Sequence, residues 1–252
     1  MDHQPLVSII MNCYNGQTYL DEALKSVVNQ TYKNWELIFW DNCSTDYSSK
    51  IFKKFEDKRF KYFLSKKHTV LYEARNLAIE KISGEFIAFL DTDDIWLTDK
   101  LEKQIPLFAD RDVGLVYGNC WLYNKKKLFK KKKILSEKKL NRGMVTKSIL
   151  NDYKVGLLTI VIRKSYLNST KNVFDTNYDL IADFDFAVKF SLKYKFDCIQ
   201  EPIAIYRRHE NQLQRIYFKK QIEQFETWFL KIKSHSYLGS HDNICSIKNK
   251  IE

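Results

Sequence analysis

From residue 6 to residue 119 the chain alternates short apolar runs with longer stretches in which apolar residues recur three and four positions apart. LVSIIM (6–11), WELIFW (35–40), FKYFL (60–64), EFIAFL (85–90) and VGLVYG (113–118) are short and rich in β-branched and aromatic side chains, and they predict strands. Between them, TYLDEALKSVVNQ (18–30), TDYSSKIFKKFE (45–56), LYEARNLAIEKI (71–82) and TDKLEKQIPLFAD (98–110) predict helices, with Leu20, Leu24, Val27 and Val28 forming one apolar face. The punctuation agrees. Asn15-Gly16 follows the first strand, Ser44 to Asp46 can cap the second helix, Ser83-Gly84 closes the third, and Thr98-Asp99 opens the fourth. Strand and helix in alternation predict an α/β fold, a mainly parallel sheet flanked by helices.

After residue 120 the pattern loosens. A Lys-rich segment (125–139) precedes an apolar strand-like run (156–164), a helix-like stretch (184–195) and a strand-turn-strand (196–209). A final amphipathic helix spans about 216–233, with Ile222, Phe225, Trp228, Phe229 and Ile232 at helical spacing. It predicts a stripe packed on the domain. No fixed-period repeat is present. The organisation expected is one continuous domain, with an α/β half (1–120) and a looser half (121–252).

The chain has 252 residues, enough to bury a core without disulfides or metals, and its 44% apolar and 29% charged composition is that of a globular protein. Its net charge of +11 raises nucleic-acid or membrane-surface binding as candidate functions. Most of that charge is local. Lys125 to Lys139 holds nine Lys and one Glu, leaving +3 for the rest of the chain. Eight Arg against 34 Lys argues against nucleic-acid recognition, which favours the planar, bidentate guanidinium. With Leu128, Phe129, Ile134 and Leu135 among its charges, Lys125–Lys139 reads either as a contact for an anionic membrane surface or as a solvated loop.

Cysteines 13, 43, 120, 198 and 245 are odd in number and form no C-x-x-C pair, which predicts reduced thiols in a cytoplasmic setting. No H-E-x-x-H occurs. No basic leader or apolar run of membrane-spanning length is present, so the expected location is cytoplasmic, with peripheral membrane contact open.

In an open α/β sheet, ligands bind beyond the carboxyl ends of the strands. Three polar clusters fall there: Asn12 to Gly16, Asp41 to Asp46, and Asp91-Thr92-Asp93-Asp94. No Gly-rich phosphate loop is present. Three carboxylates within four residues repel one another, so the cluster is costly uncompensated, and a bound divalent cation is the simplest compensation. An oxygen-rich site suits Mg²⁺ or Mn²⁺. The bland alternative is an acidic turn before the Thr98 helix.

VSIIMNCYNG, ELIFWDNCSTD, EARNLA, FIAFLDTDDIW, ADFDF and YRRH, in this order and spacing over residues 5–210, resemble glycosyltransferase family 2, the inverting sugar-nucleotide-dependent enzymes of the GT-A fold. The resemblance implies transfer of a sugar from a nucleotide diphosphate donor, a UDP-sugar, to a hydroxyl of a glycan or lipid-linked acceptor in bacterial cell-surface polysaccharide assembly. It also assigns roles. Asn12 and Tyr14 match the nucleobase pocket, Asp41 the acceptor for the base, and Arg75 the arginine that helps hold the nucleotide. Asp91 and Asp93 form the Asp-x-Asp motif, facing ribose and metal. Asp183 matches the catalytic base, and His209 a histidine near the diphosphate, able to add a metal contact.

Two departures bear on this. Asp41-Asn42-Cys43 replaces the family's Asp-Asp-Gly, and Ala182-Asp183 replaces its Glu-Asp. The first loosens the base identity and the second a neighbouring acceptor contact. Asp185, two residues on, reads as a helix-start charge. The rival readings are a basic nucleic-acid-binding module, which leaves the strand-end carboxylates unexplained, and a catalytically silent sugar-nucleotide binder.

Overall fold

The computed structural model describes residues 4–124, 133–210 and 212–232. The elements in chain order are β1 (Val7–Cys13), α1 (Leu20–Val28), β2 (Trp35–Asp41), α2 (Ser48–Phe52), β3 (Phe60–Leu64), α3 (Leu71–Ile79), β4 (Phe86–Phe89) and β5 (Ile95–Trp96). Then follow α4 (Lys100–Gln104), β6 (Val113–Asn124), β7 (Lys133–Ile134), α5 (Thr146–Asn151), β8 (Val161–Arg163), α6 (Ala182–Ser191), β9 (Lys195–Arg208), α7 (Leu213–Ile216) and α8 (Phe218–Ile232). One sheet runs β3-β2-β1-β4-β8-β6-β9-β5, with β7 paired to β6.

The strands of the N-terminal half, β3, β2, β1 and β4, are mutually parallel. Their side chains alternate between two apolar layers. Ile10, Ile38, Ile87 and Phe89 face one, with α3, α5, α6 and α8, while Ile9, Leu37, Phe86 and Ala88 face the other, with α1 and α4. This period of two, buried on both faces, is why these runs read as wholly apolar. Antiparallel β8 then joins β4 to β6, and β6 pairs in parallel with β9.

The predicted helix over 98–110 divides. α4 ends at Gln104 and the chain continues as a 3₁₀ turn over Ile105–Ala109, because Pro106 has no N–H for an α-helical bond. The predicted strand-turn-strand over 196–209 is a single strand, β9. Pro202 lies within it, and the irregularity is absorbed by register shifts against β6 around Asn119. The final helix packs its stripe as expected, Trp228 and Ile232 being buried and Phe225 and Phe229 partly so. Cys13, Cys43, Cys120 and Cys198 are free thiols. No helix among the described residues is long and apolar enough to cross a membrane. Of the basic segment, residues 125–132 lie outside the described residues.

Lys100 on α4 is fully buried, its Nζ 2.7 Å from Gln104 Oε1 and 4.0 Å from the Trp96 ring centroid. Burial pushes its ammonium pKa well below the usual lysine value. The unfolded chain therefore holds a proton that the folded chain releases, so stability rises with pH up to the ordinary lysine value of about 10.4. Lys100→Met removes this dependence. By calorimetry the variant is expected to melt at or above the native temperature at pH 7, with its relative advantage shrinking toward pH 10. A difference constant across that range would assign the pH dependence elsewhere.

Candidate active site

The C-terminal ends of β1 and β4, the start of α3, the loop before α6 and the end of β9 enclose a cavity of about 720 Å³, within the range of small-ligand sites. Asn12, Tyr14, Arg75, Asp91, Asp93, Asp183 and His209, seven of the eight residues singled out from sequence, line it. The eighth, Asp41, does not. Its carboxylate is buried, with Oδ1 accepting from the Ser44 amide at 2.7 Å and Oδ2 from the Tyr62 hydroxyl at 2.6 Å. In this arrangement Asp41 shapes the loop after β2. A second cavity, of about 730 Å³, lies between the loop over 166–176 and α6 and contains none of the strand-end carboxylates.

The first cluster is built by short strand ends. Asn12 is 9% exposed, and both polar atoms of its amide lack a hydrogen-bond partner. An unsatisfied buried polar group costs about 1–3 kcal/mol, so a ligand or water that pairs with it gains that much. Next to it the chain turns at Asn15, whose positive φ of 54° is tolerated by its short polar side chain. Its Oδ1 accepts from the Thr45 amide, tying the loops after β1 and β2 together. Exposed Tyr14 lies 4.2 Å, centroid to centroid, from the His68 ring.

The acidic tetrad is resolved unequally. Arg75, only 3% exposed, donates through Nη2 to Asp91 Oδ1 at 2.6 Å. Asp93 Oδ2 is 2.8 Å from His209 Nε2. Asp94 is buried and accepts from the Arg207 amide at 2.9 Å. Burial, and then the neighbouring carboxylate charges, raise the pKa values of Asp93 and Asp94. The partners of the three carboxylates are Arg75, His209 and the Arg207 amide. No three His, Cys, Asp or Glu side chains among the described residues converge as a metal site. Asp93 and His209 form a partial donor set, and Asp91 keeps the oxygen that Arg75 does not take. Such a set fits Mg²⁺ or Mn²⁺, which complete their coordination with ligand oxygens and water.

Across the cavity, Asp183 stands in the first turn of α6. Its Oδ1 accepts from the Tyr72 hydroxyl at 2.7 Å, and the Tyr153 hydroxyl is 3.4 Å from Oδ2. The Arg75 guanidinium lies 4.8 Å over the Tyr72 ring, so one cation borders both carboxylate groups. Burial raises the Asp183 pKa, while the Tyr72 hydrogen bond and the Arg75 charge oppose the rise. A carboxylate of this kind suits proton abstraction near neutral pH. Asp185, two residues on, accepts from Trp228 Nε1 at 2.8 Å and pairs with Lys189 at 2.7 Å, fastening α8 to α6 away from the cavity.

Sequence reasoning missed Tyr72 and Tyr153. Tyr72 occupies an apolar-periodic position of α3 and reads as core, and Tyr153 sits in an irregular stretch. No residue pattern signals that either hydroxyl reaches Asp183.

The profile described as Glycosyl transferase family 2 matches residues 8–171. Among curated proteins, the chain is similar to the Escherichia coli UDP-Glc:alpha-D-GlcNAc-diphosphoundecaprenol beta-1,3-glucosyltransferase WfgD, at 36% identity over 65% of this chain and 62% of that protein. A second E. coli protein given the same activity, WfaP, is 28% identical over 95% of this chain and 90% of its own length. The alignments span 62, 48 and 44% of the first three curated relatives. Among solved structures, S. aureus TarS 1–349 in complex with UDP matches 91% of this chain and 66% of that one, with a TM-score of 0.69 and 18% identity. The mannosyltransferase PcManGT from Pyrobaculum calidifontis, in complex with GDP-Man and Mn²⁺, matches 99% of this chain and 70% of that one, with a TM-score of 0.69 and 16% identity. These two likenesses show the fold.

Tyr72→Phe is expected to raise the Asp183 pKa, because it removes a donor to the ionised form while leaving the burial in place. Carboxyl-carbon NMR titration reads the change. An unmoved Asp183 titration would mean that the Tyr72 hydroxyl does not stabilise the carboxylate.

Proposed function

The chain belongs to glycosyl transferase family 2, and on that premise we propose that it transfers a sugar from a UDP-sugar to a hydroxyl of a glycan or lipid-linked acceptor in cell-surface polysaccharide synthesis. The single observation that carries this reading is the cavity itself, a half-open pocket lined by Asp91, Asp93 and Asp183 together. Residues 1–120 supply the donor side and 121–252 most of the acceptor side. UDP in the TarS complex and the UDP-Glc in the names of WfgD and WfaP support the donor class, and the diphosphoundecaprenol in those two names supports a lipid-linked acceptor.

Each side chain has a distinct task. Tyr14 presents an aromatic face to the base, and the unpaired Asn12 amide offers one donor group and one acceptor to the nucleoside. Asp41 orders the loop beside them. Arg75 fixes Asp91 at the ribose position and keeps one buried positive charge between the donor and acceptor sides. Asp93 and His209, with Asp91, would hold Mg²⁺ or Mn²⁺, which when bound neutralises charge on the donor diphosphate.

An acceptor hydroxyl is a poor nucleophile. Asp183 takes its proton as the oxygen bonds to the anomeric carbon and the nucleotide diphosphate leaves from the opposite face. Tyr72 and Tyr153 aim the carboxylate during this step. One displacement without a covalent intermediate inverts the anomeric centre.

Asp183→Asn keeps the shape and removes the base. Turnover of the sugar nucleotide is expected to fall by at least about 10²-fold, with UDP still raising the melting temperature. Full activity in the variant would remove Asp183 from the mechanism, and an inactive wild type that binds UDP would favour a silent binder. Chelation by EDTA is expected to abolish both turnover and the UDP-induced shift, with Mn²⁺ or Mg²⁺ restoring them. Undiminished activity in EDTA would rule out the metal. Asn12→Ala is expected to weaken UDP binding about 5- to 100-fold, the range for losing hydrogen bonds worth about 1–3 kcal/mol, as measured by calorimetric titration. Unchanged affinity would place the nucleoside elsewhere.

A further inference from the structure

Just beyond the cavity, consecutive apolar side chains stand in solvent. Ile216, Tyr217 and Phe218 are 55, 49 and 61% exposed, and Leu213, one turn earlier, is 44% exposed. Scattered apolar residues are ordinary on a protein surface, but a contiguous run calls for a function. Here the run spans the joint between α7 and α8. α7 ends at Ile216, Tyr217 leaves the helical conformation, and α8 starts at Phe218. The later turns of α8 differ, since Phe225, Trp228, Phe229 and Ile232 pack against the core.

The charges flanking this run are all positive. Arg215 precedes Ile216, Lys219 and Lys220 follow Phe218, and no acidic residue falls between Leu213 and Lys220. Lys220 pairs with Asp179, and Asp179, Gln212 and Leu213 all line the cavity. The run is therefore fixed to the rim of the active site at both ends.

This combination selects among possible occupants. The core of a protein interface is depleted in lysine, whereas the headgroup region of an anionic bilayer accepts aromatic and aliphatic side chains together with basic residues whose charged ends reach the phosphates. We propose that Leu213–Lys220 seats Ile216, Tyr217 and Phe218 in the headgroup region of an anionic bilayer, and so holds the mouth of the cavity against the membrane. The contact differs from the one weighed at Lys125–Lys139 against a solvated loop. It goes beyond the transfer reading and does not depend on which sugar or acceptor is used.

Co-sedimentation of the full chain with vesicles tests this. The wild type is expected to sediment with vesicles of mixed phosphatidylglycerol and phosphatidylcholine, and much less with phosphatidylcholine alone. Ile216→Ser combined with Phe218→Ser is expected to lower partitioning about tenfold or more, because the apolar contribution is lost. Arg215→Gln combined with Lys219→Gln is expected to flatten its salt dependence. Unchanged melting temperatures and an unchanged response to UDP in both variants would show that fold and donor site are intact.

Equal sedimentation of the wild type and the serine variant would overturn the proposal, as would equal binding to both vesicle types. Absence of vesicle binding, with a dimer that the serine substitutions dissociate, would assign the surface to a second copy of the chain and also overturn it. Vesicle binding without any response to UDP would leave this proposal standing and remove the donor reading instead.

Discussion

The Arg75 guanidinium, almost wholly buried on α3, links two carboxylates that line the same cavity. It pairs with Asp91 directly and reaches Asp183 through the ring and hydroxyl of Tyr72. A buried cation is tolerated only with such compensation, and breaking a buried pair of this kind typically costs about 3–5 kcal/mol. Asp91 is open to the cavity along one edge, so water screens part of that sum. The consequence is geometric. One residue fixes how Asp91 stands relative to Asp183, 92 residues further along the chain.

The fold makes this arrangement available. Parallel strands buried on both faces end their apolar runs together, so the polar residues that follow β1 and β4 emerge at one sheet edge. The crossover after β3 returns α3 along the same layer and delivers Tyr72 and Arg75 beneath that edge. α6 arrives from the C-terminal half with Asp183 in its first turn, and Asp185 secures the helix through Trp228. Burial and the neighbouring carboxylate charges raise the pKa values of Asp93 and Asp94.

Much of this was legible in the sequence, because the signals were local. Short apolar runs rich in β-branched and aromatic residues identified the strands of the N-terminal half, and the Asp91 tetrad fell at a strand end where open sheets place their ligands. Other features depended on contacts that no local pattern encodes. Asp41 looked like a ligand-facing acceptor, yet Tyr62 and Ser44 engage it. Tyr72 looked like core, and it is buried, but its hydroxyl defines the environment of Asp183. A turn was expected within 196–209 where pairing with β6 keeps β9 continuous. The exposed Ile216-Tyr217-Phe218 run sat inside a helix whose overall stripe predicted packing, and only the break at Tyr217 separates its first residues from the core.

The account rests on Asp183 acting as a base in one displacement, with no side chain of the protein forming a covalent bond to the sugar. The anomeric configuration of the product, read by proton NMR before any further reaction, tests that most directly. Inversion relative to the donor is the predicted result, and retention would contradict the account.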